Sequence, residues 1–180
     1  MKRIILFIAH LIGLVSLVVS DIAVSFVLPF PYSKVSIFFA GVILWLLWGG
    51  RGSVVWFTFF GSLIVELYSA APFGLTLFSS TIAMLFGYWL YRQIFTNRSW
   101  YAAIAISLMV LCLYRLTYVL GLIVCYIFGA EIGIYWQPIL TTVFWEIIFT
   151  TILISILYFI MSVFSRRLRS AVIEARYFRI

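Results

Sequence analysis

An all-α, polytopic membrane protein, a bundle of six transmembrane helices, is the fold class this sequence predicts, and three observations predict it. Of 180 residues, 66% are hydrophobic and only 9% are charged, too few charges to clothe a water-facing domain of this size. The apolar residues also fall in successive runs, several close to the roughly 20 residues that a helix needs to cross the hydrocarbon core of a bilayer. Finally, the runs lack the period-two alternation of a membrane barrel strand. In lipid, backbone groups must find partners within the chain, so helices are the remaining solution.

Breaks rich in Pro, Gly or polar residues separate the runs: PFPYSK, GGRG, SAAPFG, RQIFTNRS and GAEIGIYWQP. Six spans lie between them, at about 4–28, 35–48, 53–70, 75–95, 100–128 and 138–165. The first starts with a basic, signal-like MKRIILF, but its apolar region is too long for a cleaved signal and no small-x-small site follows, so a retained span is expected. The second is short and the fifth long, so they should differ in tilt, or the fifth should bend. Short connections place each helix beside its sequence neighbour. One membrane domain, residues 1–165, is expected, followed by a basic tail, 166–180. That tail reads either as an amphipathic helix lying on anionic headgroups or as a stop-transfer signal with a frayed end.

An even number of spans puts both termini on one side, and positive charge selects the side. Lys2, Arg3, Arg51, Arg92, Arg98, Arg166, Arg167, Arg169, Arg176 and Arg179 fall on the side of the termini, Lys34 alone on the other, and Arg115 within a span. Both termini are therefore expected in the cytoplasm. The net charge of +7 is an expression of topology, not a nucleic-acid footprint. Trp45, Trp48, Trp89, Tyr91, Trp100, Tyr101, Tyr135 and Trp136 cluster where interfacial aromatic belts belong.

Four ionisable residues, Asp21, Glu66, Arg115 and Glu146, fall inside spans. Each costs at least about 2.5 kcal/mol at such depth, so each should face the protein interior and find a partner. Glu66 and Arg115 both lie about 20 Å along outward-running helices, which makes a Glu66–Arg115 brace the expected pair; Glu66 has the alternative of accepting hydrogen bonds near the following turn. Asp21 and Glu146 sit closer to the outer face, and water or headgroups can solvate them there. A proton or ion pathway through these groups is weighed against a structural ion pair, and the structural role is favoured. His10 reads as a packing residue, and Cys112 and Cys125 as buried thiols with no metal-ligand spacing. No Gly-x-Ser-x-Gly, His-Glu-x-x-His or Walker loop occurs, and Ser79, Ser80 and Thr81 have no base beside them. No catalytic residue, metal or cofactor is expected. An intramembrane enzyme built on Glu66 or Glu146 is the weakest reading.

The stretch GSLIVELYSAAPFGLTLF, residues 61–78, keeps an acid late in one helix, follows it with small residues, and opens the next helix after Pro-Phe-Gly. In this pattern, carried by Gly61, Glu66, Leu67, Ser69, Pro72, Phe73 and Gly74, the chain resembles the MreD family of bacterial rod shape-determining membrane proteins. Length, basic start, six spans and a basic end agree with that layout. The resemblance implies a non-enzymatic scaffold in the bacterial inner membrane, binding MreC and helping to couple MreB to peptidoglycan synthesis by RodA and a class B penicillin-binding protein. The outer turn, Ser69, Pro72, Phe73 and Gly74, is then the possible partner contact. MreD proteins also look like the six-helix S components of energy-coupling-factor transporters. The alternative function is therefore an S-type component that binds a vitamin-like solute in a pocket lined by Asp21, Glu66, Arg115 and Glu146.

On its own terms the turn makes physical sense. Ser69, Ala70 and Ala71 allow a tight reversal, and Pro72 suits the first turn of a new helix. Gly74 is expected to permit close approach of a neighbouring backbone.

Overall fold

The computed structural model describes residues 2–50, 52–69, 72–93, 100–128 and 136–177. Arg51, Arg98, Arg179, Ala70, Ala71 and Tyr135 lie outside these residues, as do most of the RQIFTNRS and GAEIGIYWQP breaks. Six α-helices follow in order: α1 (Lys2–Val27), α2 (Ile37–Gly49), α3 (Ser53–Leu67), α4 (Leu75–Gln93), α5 (Trp100–Ile127) and α6 (Trp136–Tyr177). One short 3-10 turn, Tyr32–Lys34, precedes α2, and no strand occurs among the described residues. Among the described residues three helices are long and apolar enough to cross a membrane: α1 over His10–Val27, α5 over Trp100–Ile127 and α6 over Gln137–Val163. Helices α2 and α3 are shorter apolar helices.

The bounds of the first five helices match the expected ones to within a few residues, and of these five α1 and α5 are among the helices long and apolar enough to cross a membrane. The expected sixth span, 138–165, matches the apolar stretch Gln137–Val163, while the helix that carries it, α6, runs on unbroken to Tyr177 through the expected tail. The reason is local: after Pro138 the chain contains neither Gly nor Pro, so no backbone signal ends the helix where the charges begin.

The shortest helix occupies the centre. Helix α2 packs against α1, α3, α4 and α6, and buries Phe38, Phe39, Ala40, Val42, Ile43, Leu46 and Leu47. A helix that is apolar on every side has no face for a polar solvent and belongs in the interior. Ser36 caps its start, accepting from the Phe39 N–H at 3.3 Å, and Gly50 ends it in the left-handed region (φ 57°), donating to the Leu46 carbonyl. Around α2, every helix contacts its sequence neighbour, and α1 also meets α3. Close approach is built in at Gly61, where a Cβ would lie 2.3 Å from the Phe38 ring, and at Gly87, where it would lie 2.5 Å from Val110. These two glycines set α3 against α2 and α4 against α5.

Polarity is arranged inside-out compared with a water-soluble domain. Phe26, Trp56, Phe78, Met109, Phe144 and Phe159 are exposed on five different helices, while Thr58, Ser62, Glu66, Ser79, Ser80, Ser107, Glu146 and Thr150 are buried. An apolar exterior of this extent is what lipid, not water, would solvate. The buried hydroxyls are satisfied locally: Thr58 donates to Val54 O at 2.9 Å, Ser79 to Leu75 O at 2.7 Å and Ser107 to Ile104 O at 2.8 Å.

Candidate functional site

Asp21, Glu66, Arg115 and Glu146 lie toward one end of the bundle, where two of the acids cap helices other than their own. Asp21, near the end of α1, accepts at Oδ1 from the Phe38 N–H (2.9 Å) and the Ser36 hydroxyl (3.2 Å), so it caps α2. Glu66, at the end of α3, accepts at Oε1 from the Thr76 N–H (2.9 Å), so it caps α4. The first N–H groups of any helix lack intrahelical partners, and in an apolar surrounding an unpaired group costs several kcal/mol. A carboxylate from a neighbouring helix satisfies them and favours the positive end of the helix dipole. Ser36 extends the first cap to α6, since its own N–H donates to Thr150 Oγ1 at 3.1 Å. One residue thus ties α1, α2 and α6 together.

Arg115 does not pair with Glu66. It forms an ion pair with Glu146 on α6, and its guanidinium lies 5.1 Å from the Tyr114 ring and 5.5 Å from the Tyr118 ring. The expected Glu66–Arg115 brace is corrected by helix order: α4 packs against both α3 and α5 and stands between them, whereas α6 packs directly on α5. Arg115 lies about 18 Å from the end of α5 and Glu146 about 15 Å into α6, so consecutive helices bring the two to similar depth. Glu66 takes its alternative role, near the turn. Its Oε2 atom and the Arg115 Nε are buried without a hydrogen-bond partner among the described residues.

Between the two caps and the ion pair lies a cavity of about 170 Å³. All six helices reach it, through Asp21 and Ser25 of α1, Phe38 of α2, Ser62 of α3, Thr76 and Ser80 of α4, Tyr114 and Arg115 of α5, and Thr142 and Glu146 of α6. Ser33, Lys34 and Ser36 close it from the connection before α2. Asp21, Arg115 and Glu146 are therefore brought together on one wall system. Glu66 is not among the lining residues.

A second feature starts at the α3–α4 turn. The Leu75 N–H bonds back to Pro72 O at 3.3 Å, and Gly74 has φ 94°, the left-handed position a type II turn takes at its third residue. A Cβ on Gly74 would meet nothing within 4 Å, so its role is that backbone conformation and not the expected close approach. Pro72 lies ahead of the helix, which begins at Leu75, and not in its first turn. From Phe73 and Gly74 an apolar groove of about 580 Å³ runs between α4 and α5, past Phe78, Thr117, Gly121 and Cys125.

The remaining candidates divide. His10 stacks against Trp45 (4.7 Å) and Phe57 (5.8 Å) in an aromatic cluster, as a packing residue should. Trp45 and Tyr91 pack on the core instead of forming part of a belt, while Trp48, Trp89, Trp100 and Tyr101 are exposed as belt residues would be. Cys112 is exposed and Cys125 half-buried, so neither is the buried thiol expected. Among the described residues no three metal-binding side chains converge. Sequence reasoning missed Ser36, Thr76 and Thr150 as members of the site. Ser36 carried a usable signal, a Ser immediately before an apolar helical run; the Thr76 backbone N–H and the Thr150 hydroxyl carried none.

No protein-family model, curated protein or solved structure matches this chain.

Proposed function

We propose that the chain is an MreD-like, non-enzymatic scaffold of the bacterial cell-elongation machinery. In this reading all six helices cross the inner membrane, both termini face the cytoplasm, and an MreC-like bitopic protein lays its single span against α4 and α5. RodA, a class B penicillin-binding protein and MreB join through that partner. The observation that carries the reading is the apolar groove that opens at the α3–α4 turn, where Phe73 is exposed and Gly74, Thr117 and Gly121 present little side-chain bulk. Helices associate in lipid through close packing over small residues, and a groove of this kind suits the side chains of one partner helix.

The test is co-purification of an MreC-like protein, encoded beside this chain and co-expressed with it, in mild detergent. Phe73 and Phe78 are both exposed, so the double variant Phe73→Ala/Phe78→Ala should keep its melting temperature and lose most of the captured partner. Full capture by that variant overturns the groove as the docking surface. Failure of the unaltered chain to capture the partner overturns the scaffold reading.

A second reading, an S-type component that binds a small solute for a transporter, draws support from one observation: the chamber lined by Asp21, Arg115 and Glu146.

A further inference from the structure

The helices that face lipid differ widely in length. Helix α3 has 15 residues, α5 has 28, and the apolar part of α6 has 27. At about 1.5 Å per residue these reach about 22, 42 and 40 Å, against about 30 Å of hydrocarbon core. A long helix adapts by tilting, but tilt only shortens its reach, so α3 has no such remedy. Its outer side is a helical stripe of exposed apolar residues, Trp56, Phe60 and Leu67. Its start cannot sink into the lipid. Gly52 precedes the first turn with no side-chain cap among the described residues, so the first N–H groups need water or headgroups. The interfacial aromatics carry the same measure. Exposed Trp56 and Tyr68 bound α3 about 18 Å apart, whereas exposed Tyr101 and Tyr126 bound α5 about 38 Å apart.

We propose that the α3 flank is a contact surface for phospholipids of short acyl chain, beside which the bilayer thins to about 20 Å. A short span adapts by thinning the bilayer, by snorkelling or by oligomerising, and these residues favour the first. No Lys or Arg lies within α3 to snorkel to a distant headgroup. The exposed stripe carries bulky Trp56 and Phe60, not the small residues that bring helices together in lipid. The central α2 shares the short measure, with 13 residues reaching about 20 Å. It is spared the mismatch because it packs against four other helices, and the chamber supplies polar surroundings where it starts. The inference rests on the crossing of α3 that the scaffold reading contains, and the groove between α4 and α5 has no part in it.

The experiment uses the full chain in dioleoylphosphatidylcholine vesicles, with Cys112 and Cys125 replaced by Ala. One fluorophore-bearing cysteine is introduced in turn by Trp56→Cys, Phe60→Cys, Tyr68→Cys, Tyr101→Cys, Met109→Cys and Tyr126→Cys, all at exposed positions. Lipids with quenchers at graded depths report where each fluorophore sits. The Trp56 and Tyr68 positions should both lie at headgroup depth, about 18 Å apart across the membrane, and the Tyr101 and Tyr126 positions at least about 30 Å apart. In mixed vesicles, brominated dimyristoleoylphosphatidylcholine should quench the Phe60 position about twofold more strongly than brominated dioleoylphosphatidylcholine does, and the Met109 position on α5 without that preference. A Trp56 or Tyr68 position deep in the hydrocarbon overturns the proposal, because the bilayer then keeps its thickness beside α3. So does equal quenching of Phe60 by the two lipids, or a Phe60 position that no lipid quencher reaches, because protein then covers the stripe. A membrane-impermeant maleimide on intact and opened cells separates the two failures. If Ser53→Cys and Ser69→Cys, at exposed ends of α3, react from the same side, α3 does not cross and the six-crossing reading falls with the proposal. If they react from opposite sides while the depth or lipid result fails, the thinning alone is overturned.

Discussion

Glu66 and Thr76 show what a single acid does in an apolar chain. The contact at 2.9 Å joins the last turn of one helix to the first free N–H groups of the next. Glu66→Ala should therefore lower stability by about 1–2 kcal/mol, the usual worth of a helix cap, and Glu66→Gln by less, since an amide oxygen still accepts. Reversible unfolding in detergent measures both. For the ion pair the expectation differs. Arg115→Met leaves Glu146 buried and unpaired, at a cost of about 3 kcal/mol, while adding Glu146→Leu should recover much of that loss. A double-mutant cycle should find coupling between Arg115 and Glu146 and additivity within about 0.5 kcal/mol between Arg115 and Glu66; strong coupling in the second cycle would restore the brace that the sequence suggested. The acids themselves were legible, because a carboxylate in a greasy run must have a purpose. Their partners were not. Depth along a helix can be counted from sequence, but which helix stands beside which cannot, and α4 between α3 and α5 decided the outcome.

At the scale of the helix, the turn before α4 depends on Gly74. Its φ of 94° is strained for any residue with a Cβ, even though the space around it is open. Gly74→Ala should cost about 1–2 kcal/mol through the backbone alone, and no compensating cavity elsewhere should rescue it. Gly61 offers the opposite case, ordinary backbone with a Cβ 2.3 Å from the Phe38 ring. Gly61→Ala should destabilise by about 1–3 kcal/mol through overpacking, and Phe38→Leu in the same chain should relieve part of it. The contrast separates conformational from steric glycines by one measurement, the stability of the double variant. Helix positions were legible in the sequence because Pro and Gly mark the breaks, and the five that have such marks ended where expected. The sixth span also ended where expected, at Val163, but helix α6 continues beyond it because charge alone does not stop a helix. Nothing in the sequence singled out α2 as the central helix except its uniform apolarity.

Across the whole molecule, the caps and the chamber impose a polarity that a labelling experiment can read. The connection before α2 and the start of α4 share one end, since Ser33, Lys34 and Ser36 of the first and Thr76 in the first turn of the second line the chamber with Asp21 and Glu146. Gly50 marks the other end, where a Cβ on it would lie 3.2 Å from the Tyr91 ring of α4. With Cys112 and Cys125 replaced by Ala, single cysteines placed at Tyr32 and at Phe73, both exposed, should react with a membrane-impermeant maleimide from the same side of intact cells. A cysteine at the exposed Trp48 should react only after the cells are opened. Six crossings with inward termini require the first pair to label from outside. If Tyr32 and Phe73 instead label only in opened cells and Trp48 in intact ones, the orientation is inverted and the positive charges have been misassigned to a side. If Tyr32 and Phe73 label from opposite sides, the chamber itself is not a feature of the membrane-embedded chain, because no single bundle end then carries both caps.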